Sequence, residues 1–233
     1  MRQSKPQKFD SEDPEVLAAY QAETNGEYLE AIEHYKQAIK RNPELGIVYK
    51  HLGNVYYRLG MLQDAVDCLR IAVNKLPNYP TALYDLGLAL YRQVKIKEGI
   101  GCLLKVIEID PGFIMAHYWL GIMNYHYGHL KEAKKHYVAV TENSPGFTIA
   151  FFHLGVTNLR LGYYDEAVKD FTEVINKNPD SPAAYALLGD AYVNMDLKYE
   201  ARKAYQKSLE LDPEDRKAMR GLVLLDDFNE IIF

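Results

Sequence analysis

Proline stands at 43, 77, 111, 145, 179 and 213, always 34 residues apart. Glycine keeps the same interval at 53, 87, 121, 155 and 189, and a small residue does so at Ala31, Ala65, Gly99, Ala133, Ala167 and Ala201. A chain with three such ladders at one period is built from one supersecondary unit, which cannot bury its apolar face alone and must stack on copies of itself. An array of this kind grows in one dimension, so the 233 residues need no single large core. The ladders predict a polar tail at 1–11, six units at 12–45, 46–79, 80–113, 114–147, 148–181 and 182–215, and a capping helix with an apolar terminus at 216–233.

The unit 46–79 shows the local physics. Val48, Tyr49, Leu52, Val55 and Tyr56 recur at three- and four-residue spacings and predict an amphipathic helix. Gly60 supplies a left-handed residue to end it, and Leu62, Ala65, Val66, Leu69 and Ala72 give a second helix of the same period. Pro77 cannot continue that helix and turns the chain toward the next unit. Ser181-Pro182 reads as an N-cap followed by proline at the first helical position. Gly53 lies mid-helix, where glycine costs about 1 kcal/mol against alanine. Close approach of the paired helix, with small Ala65 facing it, is the expected compensation.

Tyr49, Leu52-Gly53, Tyr56, Gly60, Ala65, Ala72 and Pro77 fall in the register of the tetratricopeptide repeat, which this chain resembles from residue 12 to 215. Three units depart locally: Ala18-Ala19 replace Leu-Gly in the first, Val94 and Gly99 suggest a looser second helix in the third, and Asp196 holds the turn of the sixth. The resemblance implies an all-α fold, a right-handed α-solenoid (superhelix) of antiparallel helix pairs whose first helices line the concave side. It also implies a non-enzymatic scaffold or adaptor that binds a partner peptide in that groove.

Carried onto this register, the inward positions nominate Lys50, Asn54, Tyr57 and Arg58, then Tyr84, Tyr91 and Arg92, then Tyr118, Trp119, Tyr125 and His126, then Phe152, His153 and Arg160. Tyr57, Tyr91 and Tyr125 make an aromatic stripe, and Arg58, Arg92 and Arg160, with His126 between them, a basic one. Large rigid rings beside bidentate donors are what peptide hot spots are made of. The expected ligand is a protein or peptide with acidic and apolar residues. The plainer alternative is that the tyrosines pack between adjacent first helices and the arginines are merely solvated.

Other chemistries find little support. A carboxylate clamp of the kind the family uses for chaperone C-termini needs five positions; Lys50 and Asn54 match the first two, but Asp85, Met115 and Trp119 occupy the rest. His117, His126, His129 and His136 are close in sequence, yet Gly128 separates two of them and the other two are assigned to different helix faces, so no metal or other cofactor is expected. The glycines belong to the repeat rather than to a phosphate loop, and no nucleophile–base pair is placed at hydrogen-bond spacing, so an enzyme is not expected. A formal charge of −5 argues against nucleic-acid binding. No apolar run reaches the roughly 18 residues of a membrane span. Residues 1–11 carry Arg2, Lys5 and Lys8 but no apolar stretch of a secretory signal, so a cytoplasmic location is expected. Cys68 and Cys102, one period apart, are expected as free thiols.

The apolar end Ile231-Ile232-Phe233 supplies the alternative function. It is read as folding back on the last repeat or as seeking another chain. The second case makes the protein a homo-oligomeric scaffold that coats a complex or organelle surface, as the magnetosome-associated scaffold does, peripheral to a membrane.

Overall fold

The computed structural model describes residues 13–230. Thirteen helices follow one another: α1 (Pro14–Asn25), α2 (Tyr28–Arg41), α3 (Gly46–Arg58), α4 (Leu62–Lys75), α5 (Pro80–Arg92), α6 (Ile96–Ile109), α7 (Ile114–Tyr127), α8 (Leu130–Asn143), α9 (Thr148–Leu161), α10 (Tyr164–Lys177), α11 (Pro182–Asn194), α12 (Lys198–Leu211) and α13 (Arg216–Glu230). Each odd-numbered helix up to α11 pairs with the next, and α13 lies on α12 and α11. The fold is an all-α solenoid of antiparallel helix pairs. The helices divide into two compact units between Phe113 and Ile114. Inside each unit, second helices pack on the following first helices, and first helices of successive pairs also touch.

The turn inside each pair is set by one left-handed residue. Gly26, Gly60, Gly128 and Gly162 take φ of 83°, 77°, 88° and 78° there. Val94 and Asp196 occupy the same position at 63° and 58°. Asp tolerates this region; a β-branched valine does so only under strain. The strain does not loosen the third pair, contrary to expectation. Helix α6 has the same 14 residues as α4 and α8, and Gly99, Leu103 and Val106 are buried on its inner face. Ser181 does occupy the N-cap of α11, ahead of Pro182, but its side chain makes no capping hydrogen bond. Asp13 caps α1 with its side chain, accepting from Glu15 N at 2.8 Å, and Asp215 caps α13, accepting from Lys217 N at 2.9 Å and Ala218 N at 3.2 Å.

The glycine ladder has a different partner from the one expected. A Cβ on Gly53 would lie 2.7 Å from Leu69 Cγ, whereas Ala65 offers only its carbonyl oxygen, at 3.2 Å. The same sixteen-residue step recurs. Gly121 makes room for the Tyr137 ring, Gly155 for Phe171 and Gly189 for Tyr205, each with some atom within 2.8 Å of an added Cβ. One large side chain from each second helix therefore lies flat on the first, and these are among the most buried side chains: Tyr137 is 1 % exposed and Phe171 0 %.

Cys68 and Cys102 are free and partly buried. Burial first, then Asp64 and Asp67, pushes the Cys68 thiol up to about 11, which keeps it protonated and unreactive at neutral pH.

Candidate functional site

The nominated residues fall on first helices of both units. In the N-terminal unit, α3 carries Lys50, Asn54, Tyr57 and Arg58, and α5 carries Tyr84, Tyr91 and Arg92. Lys50 and Asn54 are already engaged. Lys50 Nζ lies 3.0 Å from Asp85 Oδ2, and Asn54 Nδ2 donates to the same oxygen at 2.9 Å. Asp85 thus stands where a ligand carboxylate would stand. The reason lies in stacking: α5 brings Asp85 onto the face that α3 presents. The Arg92 guanidinium lies 4.6 Å from the Tyr57 ring centroid and donates to the Tyr57 carbonyl at 3.0 Å. Arg58 donates to Tyr28 Oη at 3.3 Å, over whose ring it also sits. Tyr84 packs on Phe113, with centroids 5.2 Å apart. Tyr91 is partly buried, and burial pushes its phenol up.

Deeper in this unit, Glu23 accepts from Tyr35 Oη at 2.7 Å and stands 3.4 Å from His51 Nδ1. Burial pushes the Glu23 carboxyl up, but the hydrogen bonds from His51 and Tyr35, together with the charges of His51 and Arg58, hold the group below its ordinary value.

In the C-terminal unit, Tyr118 sits in an aromatic cluster with Trp119, Tyr137, Phe147 and His153. His153 stacks on Tyr137 at 5.7 Å and 13°. Burial first, then His126, pushes His153 down, so it is neutral at physiological pH. Phe152 meets His153 and Phe171 edge-on. His126 is exposed at the end of α7 beside Tyr125. Arg160 lies 4.6 Å over the Tyr125 ring, the counterpart of Arg92 over Tyr57. The two stripes read from the sequence are therefore joined. An arginine of one repeat covers a tyrosine of the repeat before it.

His117 and His136, assigned to different faces, meet between α7 and α8 with Nδ1 atoms 3.1 Å apart. One nitrogen must donate and the other accept, so the two rings cannot both be protonated there. Burial first, and the neighbouring His117, push His136 down to about 4. Among the described residues, no group of three or more His, Cys, Asp or Glu stands where it could hold a metal ion.

An opening in the C-terminal unit brings the nominated Arg160 together with residues that were not nominated. A cleft of about 720 Å³ lies on the first-helix face between α9, α11 and α13. Its apolar part comes from Val156 and Leu159 of α9, Leu187 and Val193 of α11 and Leu224 of α13. Its charged part is Arg160, Asp190, Arg216, Lys217 and Arg220. Asp190 is spent internally: Tyr205 Oη donates to Oδ1 and Lys217 Nζ to Oδ2, both at 2.8 Å. A Cβ on Gly221 would lie 2.4 Å from the Tyr205 ring, so glycine is what lets α13 settle on that ring and bring its arginines to the cleft. The signal was present in the sequence. Arg220 continues the 34-residue series Lys50, Tyr84, Tyr118 and Phe152 that supplied four nominated residues, and Leu224 continues Val156 and Asp190. The series was stopped at the last proline.

With this geometry in place, the comparisons are informative. The sequence matches the family described as TPR repeat over residues 24–60 and 53–94, and the tetratricopeptide repeat over 128–182 and 159–224. The chain belongs to the tetratricopeptide-repeat family. YrrB, described as a TPR protein with an unusual peptide-binding site, superposes with a TM-score of 0.74 at 22% identity, covering 80% of this chain and 96% of YrrB. MamA gives 0.67 at 27% identity, over 69% of this chain and 94% of MamA. The C-terminal part of a TPR repeat-containing protein from Cytophaga hutchinsonii gives 0.76 at 18%, over 90% and 84%. No curated protein matches the sequence significantly. Tetratricopeptide repeats are protein-interaction modules, and the chain is one by fold. No helix among the described residues is long and apolar enough to cross a membrane.

Proposed function

We propose that the protein is a non-enzymatic adaptor that holds a segment of a partner protein against its first-helix faces, with six units between residues 12 and 215 and a cap after them. The observation that carries this reading is the cleft between α9, α11 and α13: apolar walls, arginine edges, and a volume within the about 300–1,000 Å³ typical of ligand clefts. Arg160 and Arg92, each stacked on a tyrosine, extend the same kind of surface along both units. YrrB, a protein of this fold with a peptide-binding site, supports the reading by analogy of scaffold. Lys50 and Asn54 take a supporting part only, because Asp85 occupies them. The proposed location is cytoplasmic.

The test is a random-peptide display library panned on the immobilised full chain, with selected peptides verified in solution by fluorescence anisotropy. Binding that is lost in the Arg92→Glu, Arg160→Glu double variant, with helicity unchanged by circular dichroism, is the expected result. A library that yields no binder, or binders indifferent to both substitutions, removes the adaptor reading.

The second reading, a self-assembling scaffold, is favoured by the likeness to MamA at 27% identity. Its sequence motive, Ile231-Ile232-Phe233, lies outside the described residues. Sedimentation of the chain lacking residues 228–233 distinguishes it: an unchanged monomer counts against assembly through that end.

A further inference from the structure

Resting on the adaptor reading, we infer that the cleft of the C-terminal unit selects an acidic peptide with one bulky apolar anchor, and that Arg216 and Arg220 of the capping helix read its carboxylates. Four of the five charged groups lining the cleft are cationic, although the chain as a whole carries −5. The one carboxylate, Asp190, has both oxygens occupied, by Tyr205 and by Lys217, so Lys217 is neutralised and the balance falls to three arginines. Arg160 lies over the Tyr125 ring and lines the cleft. Arg216 and Arg220 are exposed on successive turns of α13, and no ion pair with an acidic residue engages either among the described residues. Unpaired guanidinium forks match carboxylates in bidentate geometry, which favours Asp and Glu side chains over neutral ones.

The anchor follows from the walls. Val193 and Leu224 are 40 % and 49 % exposed at the rim, with Val156 and Leu187 partly buried behind them. Exposed aliphatic side chains facing one opening gain by covering an aromatic or branched side chain, at about 25 cal/mol per Å² of apolar surface removed from water. Position 221 is glycine, where the equivalent positions of earlier repeats are Leu187, His153 and Trp119, and the Tyr205 ring, which also lines the cleft, packs against it. Acid alone would bind weakly and loosely in salt; an apolar group alone would leave three charges facing nothing. The two features together define the ligand class.

The probe is a labelled peptide with one phenylalanine flanked on both sides by Asp and Glu, compared with the same peptide carrying Asn and Gln instead. Both are titrated against the full chain and against the Arg216→Glu, Arg220→Glu variant. The acidic peptide is expected to bind the parent at least about tenfold more tightly than its amide form, and to lose at least about tenfold in the variant. Replacing its phenylalanine with alanine is expected to weaken it comparably. Circular dichroism and thermal melting of the variant check that α13 remains in place, and Arg216→Gln with Arg220→Gln gives a milder version with the same direction. Equal binding of acidic and amide peptides, or equal binding to parent and variant, overturns the inference. If library peptides bind a first-helix face without an acidic signature, the adaptor reading stands and this inference alone fails. If sedimentation shows a dimer that the double variant dissolves, the site belongs to a second copy of the chain and the inference is likewise overturned.

Discussion

Replacing glycine by alanine should change stability with opposite signs at positions that the sequence treats alike. Gly101 and Gly121 are both inside helices, α6 and α7, so each alanine gains about 1 kcal/mol of helix propensity. Around Gly101 nothing lies within 4 Å of an added Cβ. Gly101→Ala should therefore keep most of the gain and stabilise by about 0.5–1 kcal/mol. At Gly121 the new methyl would lie 2.5 Å from Tyr137 Cε1 and 2.7 Å from Cδ1. The ring has nowhere to go: Tyr137 is 1 % exposed and stacked on His153. Overpacking of this kind costs about 1–3 kcal/mol, and a rigid ring in a filled site belongs at the upper end. Gly121→Ala should lose about 1–2 kcal/mol net. Gly87 falls between them, with Leu103 atoms at 3.1 Å that can yield slightly; its alanine variant should be near neutral. Urea unfolding followed by far-UV circular dichroism orders the three, and for a chain of this length each kcal/mol moves the melting temperature by about 2–4 °C. A Gly121→Ala protein as stable as the parent would refute the reasoning, because the ladder would then not exist to seat the large side chain of the second helix.

Val94 holds φ of 63° while 79 % exposed, so its side chain contributes little burial to offset the strained backbone. Val94→Gly should stabilise by about 1 kcal/mol in the same unfolding assay, and a loss of stability would show that the turn is not strained. Asp170 accepts from Asn158 Nδ2 at 2.7 Å, while Asn158 Oδ1 is buried without a partner. Burial raises the Asp170 carboxyl from 3.8 to about 6, against the opposing effect of that hydrogen bond. A folded value above the unfolded one means that its contribution is complete below pH about 4 and is lost as pH rises through about 6. Asp170→Asn can donate to the orphaned Asn158 oxygen. It should add about 1–2 kcal/mol at neutral pH and none of that at pH 4; a parent-minus-variant difference that is flat with pH contradicts this. Asp85→Ala leaves Lys50, with a side chain only 12% exposed, without its counter-charge. It should destabilise by about 1–3 kcal/mol, with Asp85→Asn recovering part through Asn54, and an unchanged urea midpoint would mean that the triad contributes nothing.

The fold was legible because its determinants are local and periodic. Pro77 and its equivalents stop second helices, Gly60 and its equivalents turn the chain inside a pair, and apolar residues at helical spacing fill the faces between them. Each of these acts within a few residues, and the repeat multiplies the evidence. What escaped was pairing between repeats. Sequence alone can nominate Tyr57 and Arg92 as neighbours in a stripe, but the stack of one on the other depends on how far α5 is translated along α3. The same translation puts Asp85 on Lys50 and Asn54, which turns two residues nominated for ligand contact into an internal ion-pair network. His117 and His136 were separated by assigning faces to helices one at a time; their contact is a property of the pair.

The cleft was legible in principle, and the reason it was passed over is instructive. A capping helix is expected to be polar filler that solvates an exposed repeat face, so its residues are read as ends rather than as a further first helix. Yet α13 begins at Arg216, 34 residues after Pro182 and 68 after Thr148, in the register of α3, α5, α7, α9 and α11. Position 220 therefore falls where Tyr84 and Tyr118 fall, position 224 where Val156 and Asp190 fall, and position 221 where Trp119, His153 and Leu187 fall. Two changes of residue type at those positions create the site. Arginine at 220 puts a charge where the three preceding repeats carry Tyr118, Phe152 and Ala186, and glycine at 221 removes the side chain that stands there in earlier repeats, admitting the Tyr205 ring instead. Gly221 is required by the packing of α13 on Tyr205, which offsets its cost of about 1 kcal/mol of helix propensity, whereas the exposed Arg220 puts a charge at the cleft. The cap keeps the repeat's register, packs through Gly221 on Tyr205 and brings Arg216 and Arg220 to the cleft, as it would if its inner face serves a ligand.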